Sequence, residues 1–138
     1  MAVLNEEQEM LRDMAREWTV NESPVTEFRK VRASGEPEAF NRDAYATMAQ
    51  MGWAGVIIPE EHGGSDFGFL SAGLVVEELG KTLTASPLVM NTVAASAIVL
   101  GGSDEQKAKW LPKLASGKAI ATLAVDEGPS HDPAKIET

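Results

Sequence analysis

The chain has 138 residues, enough for one ordinary domain with a real core. It carries 21 acids against 12 Lys and Arg, a net charge of −9. That balance leaves no cationic surplus to displace phosphate counterions or to seek an anionic bilayer, so no nucleic acid and no membrane partner is expected. It contains no cysteine, which removes disulfides, thiolate catalysis and cysteine-ligated zinc.

The N-terminus "MAVLNEEQEM" has neither a basic region nor an apolar signal core, so export is not expected and the expected location is cytoplasmic. A first helix is expected from Asn5, which can cap, with Gln8 at the capping-box spacing and Glu6 and Glu7 at the positive end of the dipole. Leu4, Leu11, Met14, Ala15 and Trp18 then share one face. Pro24 ends or breaks this helix, and "KVRASGEPEAF" reads as a polar connection. The next helix runs through "EAFNRDAYATMAQMG", with Phe40, Ala44, Tyr45, Met48 and Met51 as its inner stripe and Gly52 at its end.

The tract "MGWAGVIIPEEHGGSDFGFL" follows. Val56, Ile57 and Ile58 are β-branched, but no partner strand is available in the first 117 residues. An unpaired strand would orphan its backbone groups, so the tract reads as a buried extended connection or short helical turn. Another helix then runs over "FLSAGLVVEELGK", with Leu70, Leu74, Val75, Glu78 and Leu79 in helical register.

No charge occurs between Lys81 and Asp104, a length that could span a bilayer. Thr82, Thr84, Ser86, Asn91, Thr92 and Ser96 favour a helix buried within a globular domain instead. Ser86 is expected at its N-cap and Pro87 at its first position. It is apolar or small on every face through Leu100, so the middle of the bundle is its expected place. Ser103 and Gln106 form a capping box for the last helix, which packs inward through Trp110, Leu111 and Leu114. Beyond Gly117, "AIATLAVDE" alternates like a strand with nothing here to receive it, and the chain is expected to continue past its last residue.

Self-contained chemistry is absent from this pattern. His62 and His131 lie 69 positions apart in no metal-binding frame, and His62 reads as a loop histidine. The "HGG" tripeptide hints at an oxyanion hole, but no G-x-S-x-G accompanies it. Gly63, Gly64 and Gly68 lack the spacing of a dinucleotide fingerprint. The adjacent pairs Glu60-Glu61 and Glu77-Glu78 do not sit as a proton-sharing dyad, because helical neighbours point about 100° apart.

In series, "LNEEQEMLRDMAREW", "MGWAGVIIPEEHGGSDFGFL", "VVEELGK" and "SDEQKAKWLPKLASGKAIATLAVDE" resemble the N-terminal helical domain of the flavin-dependent acyl-CoA dehydrogenases. The resemblance implies an all-α fold, an orthogonal or up-down bundle of about five or six helices, over residues 1–117. It implies that 118–138 begin a middle β domain, lying otherwise outside the chain, with a short β segment. Family members take the α proton and β hydride from an acyl-CoA thioester and pass the hydride to FAD. Their base is a glutamate of a C-terminal bundle, so no residue here is given a catalytic role. Most flavin contacts also lie in the other domains, so this chain alone is expected to bind no FAD and to be inactive.

Two contributions are implied. Ser86, Val89, Met90 and Val93 fall on the helix that lines the acyl pocket, and Leu123, Val125 and Asp126 on the first strand of the β domain, where flavin is contacted. The usual T-E-P-G-x-G-S-D is here "DEGPSHDPAK", and Asp126 replaces the hydroxyl residue, an unfavourable charge beside a flavin or a phosphate. Implied partners are an acyl-CoA substrate, a homo- or hetero-oligomer and an electron-transfer flavoprotein. The alternative is a stand-alone, non-catalytic helical interaction or oligomerisation module that has lost the enzyme domains; the Asp126 departure also suits a divergent member working as one half of a mixed oligomer.

Overall fold

The computed structural model describes residues 3–124. Among them are six α-helices and two single turns of 3₁₀ helix: α1 (Glu6–Glu22), α2 (Val25–Ser34), α3 (Arg42–Gln50), the turns Trp53–Gly55 and Glu60–His62, then α4 (Gly68–Lys81), α5 (Leu88–Gly101) and α6 (Asp104–Ala115). The expected all-α class is what the described residues show.

Both expected capping boxes form. The Asn5 side chain accepts the Gln8 amide at 2.8 Å, and the Gln8 side chain accepts the Asn5 amide at 3.1 Å. Ser103 and Gln106 repeat the exchange at the start of α6. Each satisfies two of the amides that a helix start leaves without partners.

The polar connection expected over 30–40 starts later than expected: 30–34 belong to α2, and only 35–40 lie outside a helix. Pro24, extended at φ −61° and ψ 161°, closes α1 on one side and opens α2 on the other. None of the α2 residues is buried; Val25, Phe28 and Val31, at helical spacing, are only partly covered. It stops at Gly35 in the left-handed region.

The core gathers between α1, α3, α4, α6 and the tract 53–58. Trp53, Met48, Ile58, Leu111 and Leu114 are all but fully buried, and Trp18 meets Trp53 edge-on, with centroids 5.4 Å apart. α1 packs along α4, α5 packs on α6, and the first 3₁₀ turn is wedged among α3, α5 and α6. Polar side chains tie two junctions together: the Ser23 hydroxyl donates to Thr84 at 2.9 Å, and Thr84 shares a further 2.9 Å bond with Thr82.

Several placements differ from expectation, and Met14, expected on the apolar face of α1, is 40% exposed. The uncharged helix α5 is not central: Leu88, Asn91, Ala94 and Ala95 are buried, but Val89, Met90, Val93 and Leu100 are exposed. An apolar composition reports that a helix can be buried, not how many neighbours it has. Its cap also shifts by one residue, with Pro87 at the N-cap and the Ser86 hydroxyl accepting the Leu88 amide at 3.1 Å. Trp110 faces outward, with the Lys109 and Lys113 ammonium groups each 5.2 Å from its ring centroid, so Leu111, Leu114 and Ala115 make the inner stripe without it. Of the expected terminal β segment, residues 119–124 form no strand, and 125–127 lie outside the described residues.

Candidate functional site

The glycine tract is settled by its backbone. Every amide from His62 to Phe67 donates to a backbone carbonyl: His62 and Gly64 to Pro59, Gly63 to Glu60, Ser65 to Gly55, Asp66 to Ile58 and Phe67 to Val56. The loop folds back and supplies the partners that the run 55–58 would lack as a lone strand. No amide of the "HGG" turn is left to stabilise an oxyanion. Glycine is required at 64 because a Cβ there would stand 1.9 Å from the Ile58 carbonyl oxygen. His62 is mostly covered, with Nε2 3.5 Å from Glu61, and the described residues contain no cluster able to hold a metal ion.

The acyl-pocket candidates lie on and beside α5. Val89, Met90 and Val93 are 46%, 44% and 39% exposed, so a large part of their apolar surface is left open among the described residues. Ser86 stands apart in role: its hydroxyl donates to the Met48 sulfur at 3.4 Å while accepting from Leu88, so it holds the start of the helix. Val89 also lines a groove of about 160 Å³ with Val76, Leu83 and Ser86 at the junction of α4 and α5.

That junction has its own architecture. The Thr84 amide donates to the Leu79 carbonyl and the Leu83 amide to the Gly80 carbonyl, a Schellman ending for α4. Its left-handed position is filled by Leu83, at φ 56°, where glycine is usual. A half-exposed leucine held there widens the apolar surface beside Val89. Sequence reading did not find Leu83, since "KTLTASP" contains no glycine to mark the turn.

Of the flavin-contact candidates, Leu123 is 45% exposed, and Val125 and Asp126 lie outside the described residues. The backbone leading to Leu123 is held in place. The Ala119 amide donates to the Lys113 carbonyl, and the Ala121 amide donates to the Asn91 side chain, each at 3.1 Å. Asn91 is fully buried on α5, and a lone asparagine in an apolar helix was the signal that could have marked it.

Glu78 is the one buried charged residue among the described residues. Its side chain is 2% exposed and accepts from Arg16 at 3.1 Å and Lys81 at 2.8 Å. Burial opposes its charge, but the hydrogen bonds from Lys81 and Arg16 outweigh that and hold its carboxyl below the ordinary glutamate value. Both of its partners are accounted for within the helices, so this is a tie between α1 and α4 rather than a proton-transfer site.

Fold and site together define a helical packing domain that presents an apolar face on α5, with no catalytic constellation among its described residues. Residues 5–118 match the N-terminal domain of acyl-CoA dehydrogenases, and the chain belongs to that family. It is 38% identical over 129 residues to the (2S)-methylsuccinyl-CoA dehydrogenase of Cereibacter sphaeroides, covering 90% of this chain and 22% of that protein. An acyl-CoA dehydrogenase structure from Geobacillus kaustophilus superposes with a TM-score of 0.80 at 29% identity, covering 96% of this chain and 35% of that one. An acyl-CoA dehydrogenase of Bacillus anthracis complexed with FAD gives 0.78 at 26% identity, covering 95% and 23%. The chain spans about a fifth to a third of the length of the curated relatives it matches.

Proposed function

We propose that this chain works as the N-terminal helical domain of a flavin-dependent acyl-CoA dehydrogenase, walling the acyl pocket and packing on the flavin-binding parts of the protein. The observation that carries this reading is the apolar face of α5, where Val89, Met90 and Val93 stand exposed on consecutive turns of an uncharged helix. FAD, when bound, accepts the β hydride of the acyl-CoA thioester. This chain's share of the flavin site is small: among the described residues it is Leu123, half exposed on a backbone anchored two residues earlier, which suits an apolar wall contact. Val125 and Asp126 would follow it along the same segment.

The protein is proposed to act in the cytoplasm as a homo- or hetero-oligomer, delivering electrons to an electron-transfer flavoprotein. A second reading, a non-catalytic half of a mixed oligomer, is favoured by Asp126, whose charge would oppose a flavin or phosphate neighbour. Flavin stoichiometry separates the two, with one FAD per chain for the enzyme and less for the non-catalytic partner. The pocket wall is tested by Met90→Trp and Val93→Phe in the flavin-bearing protein. Both should raise KM for long acyl-CoA thioesters about tenfold more than for short ones, with the flavin spectrum unchanged. Equal effects at all chain lengths would refute the wall.

A further inference from the structure

We infer that Asn91 is a positioning residue that fixes the flavin-side segment against the acyl-side helix. The inference rests on the proposed function and deepens it. α5 is uncharged along its whole length, and Asn91 is its one amide-bearing residue to be fully buried. Burying an amide in such a place is costly unless it makes a bond that matters. The bond it makes is long-range: Oδ1 accepts the Ala121 amide at 3.1 Å, across 30 residues of chain. Its Nδ2 is buried without an acceptor among the described residues, so the side chain is not there to satisfy α5.

What Asn91 joins gives the bond its meaning. It sits between Met90 and Val93, two of the proposed acyl-wall residues. Ala121 lies two residues before Leu123, a distance of at most roughly 7 Å of extended chain. One hydrogen bond therefore spans the substrate-side helix and the flavin-side segment, which no strand pairing holds over 119–124. Hydride transfer needs its two carbons' partners in near-contact alignment, and a misplacement of about 1 Å can cost on the order of 100-fold in rate. A single side chain that sets this offset acts on the rate without touching the substrate.

The test uses Asn91→Leu, which keeps the volume and removes the acceptor, with Asn91→Asp as the conservative variant that keeps an acceptor oxygen. In the 138-residue chain, amide hydrogen exchange at Ala121 should accelerate in the leucine variant while the amides of α5 and α6 stay protected. In the flavin-loaded protein, the leucine variant should reduce flavin at least about tenfold more slowly at saturating acyl-CoA, with KM and flavin content little changed and partial rescue by aspartate. Unchanged exchange at Ala121 would overturn the anchor. Altered exchange with an unaltered rate of flavin reduction would overturn the positioning role. If the leucine variant does not fold, Asn91→Ala, which also removes the acceptor, decides the anchor by the same exchange measurement at Ala121. A wild-type protein that binds no flavin defeats the functional reading and the rate effect together, while exchange at Ala121 still judges the anchor.

Discussion

At neutral pH the Glu78 carboxylate, almost without solvent, is held by Arg16 of α1 and by Lys81 one turn further along α4. Because its folded pKa lies below the ordinary value of 4.5, its stabilisation is present above that value and is lost as pH falls through the lower folded one. Glu78→Gln keeps the shape and removes the charge. Arg16 and Lys81 are about half exposed, so they are not left stranded, and the loss at pH 7 should be about 1–2 kcal/mol. Urea unfolding at pH 7 and pH 3 checks this, and the gap between variant and wild type should shrink at the lower pH. The two glycines of the turn give a second contrast. Gly64→Ala drives a methyl into the Ile58 and Gly55 carbonyls, whereas Gly63, at φ 82°, has open space around it. Gly64→Ala should cost about 1–3 kcal/mol or more from overpacking, and Gly63→Ala only about 1 kcal/mol from its backbone. Denaturation midpoints will rank them. The sequence shows a glycine turn here, but not which glycine is sterically bound, because that depends on carbonyls several residues upstream folding beneath it. The Arg16–Glu78 pair is hidden for the same reason, its partners lying 62 positions apart.

Among the elements, those announced by local chemistry were the legible ones. Asn5 with Gln8 and Ser103 with Gln106 mark their helix starts because a capping box involves only four consecutive residues. α2 escaped because its few apolar residues, Val25, Phe28 and Val31, are set among charged ones, and a proline that ends one helix can equally open the next. α5 shows the limit from the other side. Its composition is uniform, so sequence cannot say which face is covered, and the bare face is the one that the proposed function uses. That division is testable within one helix. Ala95 is fully buried and Val93 is more than a third exposed. Ala95→Asp would bury an unpaired charge at a cost of several kcal/mol, a large part of a total stability of about 5–15. Val93→Asp leaves its charge in water. Circular dichroism should find the first variant unfolded or insoluble and the second folded with a melting temperature close to wild type.

For the whole molecule, the open question is how far the helical unit extends past α6. Caps and apolar stripes are complete by Gly117, which supports a unit over 1–117. Two contacts run beyond that point, from the Ala119 amide to the Lys113 carbonyl and from the Ala121 amide to Asn91. Ala119 and Ala121 also pack against the core. The pattern "AIATLAV" was legible as alternating, but its backbone partner is a side chain 30 positions upstream, which no periodicity reveals. Truncation after Gly117 therefore tests two quantities together. The helices should survive, since the core around Trp53, Met48 and Leu114 loses no member. Stability should fall, because the Asn91 side-chain oxygen loses its donor, a loss of about 1–3 kcal/mol. For a domain of this size that corresponds to a drop in melting temperature of roughly 4–10 °C. Asn91→Leu should offset most of the deficit in the truncated chain, since an apolar side chain there needs no partner, while destabilising the full 138 residues. Thermal unfolding of the four chains closes the cycle. Equal effects of the substitution in both backgrounds would show that Asn91 and the segment after Gly117 are uncoupled, and outright unfolding of the truncated chain would place that segment inside the core.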